Sequence, residues 1–126
     1  MPHAIIYNPQ TKTIESTVSG NVTLDVLQQV FTEQARLSAE HNCDLMLNDY
    51  RSAKIKLSTV DIYELPQIIS NIAAVYGKDA RQTKRALVIT QDAEDYYFYE
   101  TVVDNRSQVE KVFFDMEQAK AWLYTA

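Results

Sequence analysis

The chain has 126 residues, 46% of them hydrophobic and 23% charged, which suits one folded domain spanning residues 1–126 and argues against disorder or several domains. Its 17 acidic and 12 basic residues leave a formal charge of −5, so a nucleic-acid partner, which needs a cationic surface to neutralise phosphates, is not expected. Cys43 is the only cysteine, which removes intrachain disulfides.

No run approaches the ~18 apolar residues of a membrane span. The opening Met-Pro-His-Ala-Ile-Ile-Tyr lacks the basic and apolar regions of a signal peptide. A cytoplasmic protein with no membrane insertion is the expectation.

Residues 3–7 are apolar and β-prone, and Asn8, Pro9, Gln10 and Thr11 carry turn chemistry. Residues 13–19 alternate Ile14 and Val18 with polar positions, which predicts a hairpin ending near Gly20. Thr23 then suits an N-cap, with Asp25 in the first turn. Leu24, Leu27, Val30, Phe31, Ala35 and Leu37 follow at helical spacing and predict an amphipathic helix of about five turns.

Residues 43–48 form a near-continuous apolar run and read as a central strand. Asp49, Tyr50, Arg51 and Ser52 read as a loop leaving that strand, with a short extended piece at Ile55 and Leu57. Ser58 and Asp61 have the spacing of a capping box. Ile62, Leu65, Ile69, Ile72 and Tyr76 form a helical stripe, and Pro66 inside it predicts a kink or two short helices, closed by Gly77.

Residues 78–83 read as a polar loop and residues 86–90 as a buried strand. Asp92, Glu94 and Asp95 suit the start of a third helix, which turns Phe98, Tyr99 and Val102 inward and ends near Asn105. Residues 109–114 read as the fifth strand. Asp115 caps a last helix, with Gln118 as its box partner and Ala119, Trp122 and Leu123 on its docking face. The order β-β-α-β-α-β-α-β-α predicts an α/β domain with about four helices and a mixed five-stranded sheet, largely parallel with an N-terminal β-hairpin at one side.

Site chemistry is mostly removed by composition. With only Gly20 and Gly77, neither a P-loop nor a dinucleotide-binding glycine fingerprint fits. His3 and His41 are far apart, and a cluster of His41, Cys43 and Asp44 is opposed by strand alternation, which turns Cys43 and Asp44 to opposite faces. No metal, no cofactor and no catalytic residue is expected.

Three features stay open. Tyr96, Tyr97, Phe98 and Tyr99 occupy one helical turn, so at least one aromatic stands outside the core, either covering a sheet edge or contacting a second copy or a ligand. Lys78, Arg81, Lys84 and Arg85 read as a solvated basic stretch, with an anion site as the alternative. Asp49, Tyr50 and Arg51 leave the carboxyl end of a central strand, where open α/β sheets place ligands, and are the candidate binding residues. Their alternative role is a structural salt bridge from Asp49 to Arg51 or Arg85.

Leu47-Asn-Asp-Tyr-Arg51, Lys84-Arg-Ala-Leu-Val-Ile89 and Val112-Phe-Phe-Asp-Met-Glu-Gln-Ala-Lys-Ala-Trp-Leu123 together resemble the SpoIIAA-like branch of the STAS superfamily, over nearly the whole chain. The resemblance implies a SpoIIAA-like single domain that is a non-enzymatic binding or regulatory module, with a protein partner and a homodimer among its expected contacts. STAS antagonists are switched by phosphorylation of a serine in an Asp-Ser-Ser/Thr-Gly motif between the third strand and second helix. No Ser-Gly occurs at that junction here; Ser58 is topologically nearest and is the candidate phosphorylation site, with Ser52 as an alternative. The branch also resembles SEC14-type lipid-binding domains, which makes a carrier of a small apolar ligand or lipid the alternative. Such a carrier needs an apolar cavity of ~300 Å³ or more under a helix.

Overall fold

The computed structural model describes residues 3–90 and 108–125. The helix expected to begin at Asp92, with Tyr96, Tyr97, Phe98 and Tyr99, lies outside the described residues. Strands β1 (His3–Asn8), β2 (Thr13–Val22), β3 (Leu45–Ile55), β4 (Lys84–Val88) and β5 (Val109–Phe113) form one sheet in the order β1-β2-β3-β4-β5. β1 runs antiparallel to β2, and every later neighbour is parallel. Helices α1 (Leu24–His41), α2 (Thr59–Val75) and α3 (Met116–Leu123) are the three α-helices among the described residues.

Strand alternation sorts the core into two layers. Val18, Val22, Tyr50, Leu87 and Ile89 face α1 and α2, where they meet Leu27, Val30, Ile62 and Leu65. Leu47, Ala86 and Val88 face the other way and pack against Ala119 and Leu123 of α3. Ile89 and Leu123 are 1% exposed, and burying side chains of this size stabilises the fold by about 1.5–3 kcal/mol each.

The helix ends follow local chemistry. Thr23 caps α1 by accepting from Val26 N–H, and Asn42 closes it in left-handed geometry at φ 50°. Gly77, at φ +74°, allows the chain to turn out of α2 while the Lys78 N–H donates to Ala73 O at 2.9 Å. Asp115 caps α3, accepting from Glu117 N–H at 3.3 Å.

Four expectations need correction. β2 does not stop near Gly20; a register shift between Thr17 and Ser19, with Gly20 at φ +74°, lets it continue to Val22 beside β3. Residues 49–52 are not a loop, because β2 supplies a hydrogen-bonding partner for β3 as far as Ile55. Pro66 does not split α2, whose ladder runs from Thr59 to Val75 with the proline ring buried. Finally, residues 78–83 contain a 3₁₀ turn at Ala80–Gln82, capped by the Asp79 carboxylate accepting from Arg81 N–H.

Candidate functional site

Asp49, Tyr50 and Arg51 lie where the sheet changes width. β4 pairs with β3 only as far as Asp49 opposite Val88, whereas β2 accompanies β3 to Ile55. Residues 51–55 therefore project beyond the carboxyl end of β4, joined to it by Thr90 Oγ1 donating to Arg51 O at 3.3 Å.

The three residues do not form one cluster. Tyr50 turns towards α1 and α2 and is 7% exposed in the core with Val18, Leu27, Ile62 and Leu65. Asp49 and Arg51, two positions apart, share the opposite face. Arg51 Nε and Nη2 donate to Asp49 Oδ1 and Oδ2, each at 2.9 Å, and Arg51 N–H adds a bond to Oδ1 at 3.1 Å. That guanidinium holds the Asp49 carboxyl below its usual range, against the upward push of partial burial. Asp49 in turn raises the Arg51 guanidinium, with a smaller contribution from the nearby Asp115 carboxylate.

Ser58 closes on its own helix. Its Oγ accepts from Asp61 N–H at 3.1 Å, and Asp61 Oδ2 accepts from Ser58 N–H at 3.1 Å. This reciprocal box satisfies two backbone donors at the start of α2. The polar groups of the junction are thus already engaged with each other. Beside them, Val60 is 65% exposed and Tyr63 53% exposed, both in the first turns of α2. Arg51, Ser52, Lys54 and Lys56 are also exposed along the same junction.

The basic stretch resolves into separate partners. Lys78 pairs with Asp44 at 3.1 Å, and Arg81 with Asp79 at 3.0 Å. Lys84 Nζ donates to Trp122 O at 2.6 Å and Thr125 O at 2.9 Å, and lies 4.5 Å from the Trp122 ring centroid. Arg85 is not solvated but 3% exposed. Strand alternation sends it under α2, opposite Glu110 in register, with its Nε 2.9 Å from Glu110 Oε1, an ion pair without hydrogen-bond alignment. Its Nη2 donates to Gln108 Oε1 at 2.7 Å, and Gln108 Nε2 donates to Pro66 O at 2.7 Å.

A second buried polar group escaped sequence reasoning. Gln34 Nε2 donates to Ser16 Oγ at 2.8 Å and Asn48 Oδ1 at 2.7 Å, tying α1 to β2 and β3. The signal was present: Ser16 stands between Ile14 and Val18, and Asn48 between Met46 and Tyr50, each at an inward position of its strand.

Between α1, α2 and the sheet lies a cavity of about 20 Å³, lined in part by Phe31, Gln34, Ser38, Ile69, Thr83 and Arg85. It has room for roughly one water molecule and falls far short of the ~300 Å³ of a ligand pocket. This cavity gives no support to the carrier alternative. Among the described residues, no three His, Cys, Asp or Glu side chains gather as a metal site, and no helix is long and apolar enough to cross a membrane.

Comparison with solved structures shows the SpoIIAA-like fold that the sequence resembles. An anti-sigma factor antagonist from Mycobacterium paratuberculosis superposes with a TM-score of 0.58 at 14% identity, over 98% of this chain and 95% of that one. An uncharacterised protein of the DUF3478 family from Shewanella loihica, described as having a SpoIIAA-like fold, gives 0.55 at 17% identity, over 96% and 91% of the two chains. No family model and no curated protein matches the sequence.

Proposed function

We propose that this chain is a non-enzymatic binding module whose partner is a protein, docked on the first turns of α2 and the polar junction beside it. The observation that carries this reading is the exposure of Val60 and Tyr63 beside the capping box of Ser58 and Asp61, whose polar groups already satisfy each other. A catalytic group must be free to reach substrate, whereas Asp49, Arg51, Ser58 and Asp61 are committed to structural bonds. Exposed apolar side chains beside a self-satisfied polar cap suit a protein interface. The likeness in fold to an anti-sigma factor antagonist, a protein named for acting on another protein, supports the same reading.

Modification of Ser58 would act on this surface. A phosphate there would replace a neutral hydroxyl beside the Asp61 carboxylate, which holds Ser58 N–H. Like-charge repulsion would then loosen the box and turn the first turn of α2 away from its partner-bound geometry.

Affinity capture from native extract with wild-type and Val60→Asp chains tests the proposal. A protein enriched by the wild type, lost with Val60→Asp and binding the purified chain directly is the expected result. Failure to enrich any protein reproducibly, or equal enrichment by both chains, would count against it. For the serine, Ser58→Asp weakens the reconstituted complex; an unchanged affinity would remove Ser58 from the account.

A further inference from the structure

We propose that the outer edge of β1 is a self-association surface, pairing antiparallel with β1 of a second copy to make one continuous sheet across a two-fold axis. β1 ends the sheet, so among the described residues no strand takes its outward N–H and C=O groups. An open strand edge is a template for another strand, and proteins guard such edges with charges, prolines or bulges.

The two edges of this sheet differ in that respect. β5, Val109–Phe113, turns Glu110 inward onto Arg85 and displays exposed Lys111. β1, His3–Asn8, contains no Lys, Arg, Asp, Glu, Pro or Gly. Its register against β2 is unbroken from His3 opposite Val18 to Asn8 opposite Thr13, so no bulge bends it away. On its open face Ile6 is 57% exposed.

A second copy is the occupant that this strand fits. A two-fold axis normal to the sheet brings the strands together antiparallel and keeps each face on its own side. Residues of the same parity then stand opposite one another. Two central registers satisfy this: Ile5 opposite Ile5, which sets Ala4 against Ile6, or Ile6 opposite Ile6. Either closes about four to six main-chain hydrogen bonds; the first sets Ile5 against Ile5 and Ala4 against Ile6, the second Ile6 against Ile6 and Ile5 against Tyr7.

Charge does not oppose the approach along the strand. The nearest ionised group is Glu15, opposite Ile6 on β2 and one strand in from the edge, where its carboxylate accepts from Asn8 Nδ2 at 3.2 Å; on α1, Arg36 pairs with Glu33 and with Glu40. The ring contact from α1, His41 stacked on Tyr7 at 4.0 Å, belongs to the helix-facing side and leaves the strand edge open. This surface lies on the hairpin and not on α2, so its failure would leave the proposed partner site standing.

Sedimentation equilibrium on the full chain from micromolar to millimolar concentration tests it. The expected result is a reversible monomer–dimer equilibrium, weakened by about tenfold or more in Ile6→Lys, a gatekeeper charge at an exposed position. Ile6→Val keeps the dimer and serves as the folding control. Mild oxidation adds a geometric readout: Ile6→Cys cross-links if Ile6 stands opposite Ile6, and the Ala4→Cys, Ile6→Cys double variant cross-links if Ile5 is central. Cys43 is buried and does not compete. A monomer at every concentration, or a dimer that Ile6→Lys leaves intact and neither cysteine variant traps, would overturn the proposal.

Discussion

Two arginine–carboxylate pairs sit at opposite depths in this molecule, and depth gives them opposite roles. Arg85 and Glu110 meet under α2 with side chains 3% and 6% exposed. Arg51 and Asp49 meet at the carboxyl edge of the sheet with side chains 43% and 21% exposed. In the buried pair the two charges face each other out of water, and Gln108 extends the cluster to the carbonyl of Pro66. At the edge, water can replace either partner, so the pair shapes a surface more than it holds the fold.

The contrast is broken most severely at Arg85. Arg85→Ala removes the positive charge that faces the buried Glu110 carboxylate and should cost about 3–5 kcal/mol in urea unfolding. Arg85→Met with Glu110→Leu should recover most of that loss, because the pair's value lies in mutual neutralisation. Gln34→Ala comes next: it orphans the Ser16 hydroxyl and the Asn48 carbonyl, at about 1–3 kcal/mol by the same measurement.

Changes at the junction are milder. Ser58→Ala removes the acceptor for Asp61 N–H and should cost about 1 kcal/mol. Asp49→Asn should cost less than about 1 kcal/mol near neutral pH, as expected for a partly exposed pair. Its signature lies on the acid side. The folded Asp49 carboxyl titrates below its unfolded range, so its contribution is fully present above that unfolded range. The contribution disappears as pH falls through the depressed folded value. Asp49→Asn should flatten that part of the acid limb in a pH series of unfolding midpoints. Glu33 and Asp79, each held low by a neighbouring arginine, leave a residual slope of the same sign.

The same contrast marks how far the residues spoke for themselves. Apolar periodicity placed β1, α1 and the core of β4, and cap chemistry placed the starts of α1, α2 and α3 at Thr23, Ser58 and Asp115. Periodicity failed where polar residues sit in a strand. Residues 49–54 are strand because β2 runs beside them, and a partner strand is not visible in the segment itself. Arg85 failed for a related reason: its solvated or buried fate is set by Glu110 opposite it in β5. Pro66 stays in α2 because tertiary packing of its ring outweighs local propensity, while its carbonyl is held by Gln108. A salt bridge from Asp49 to Arg51 is one of two pairings the sequence leaves open, the other being to Arg85, whereas Tyr50 is separated from both by alternation because residues 49–51 are strand.

Amide hydrogen exchange of the chain alone and bound to its captured protein partner tests the central claim most directly. The account predicts added protection over residues 51–67, spanning the projecting end of β3, Ser58 and the first turns of α2, with little change around Arg85 and Glu110. Protection that avoids α2, or no footprint on the chain at all, would contradict it.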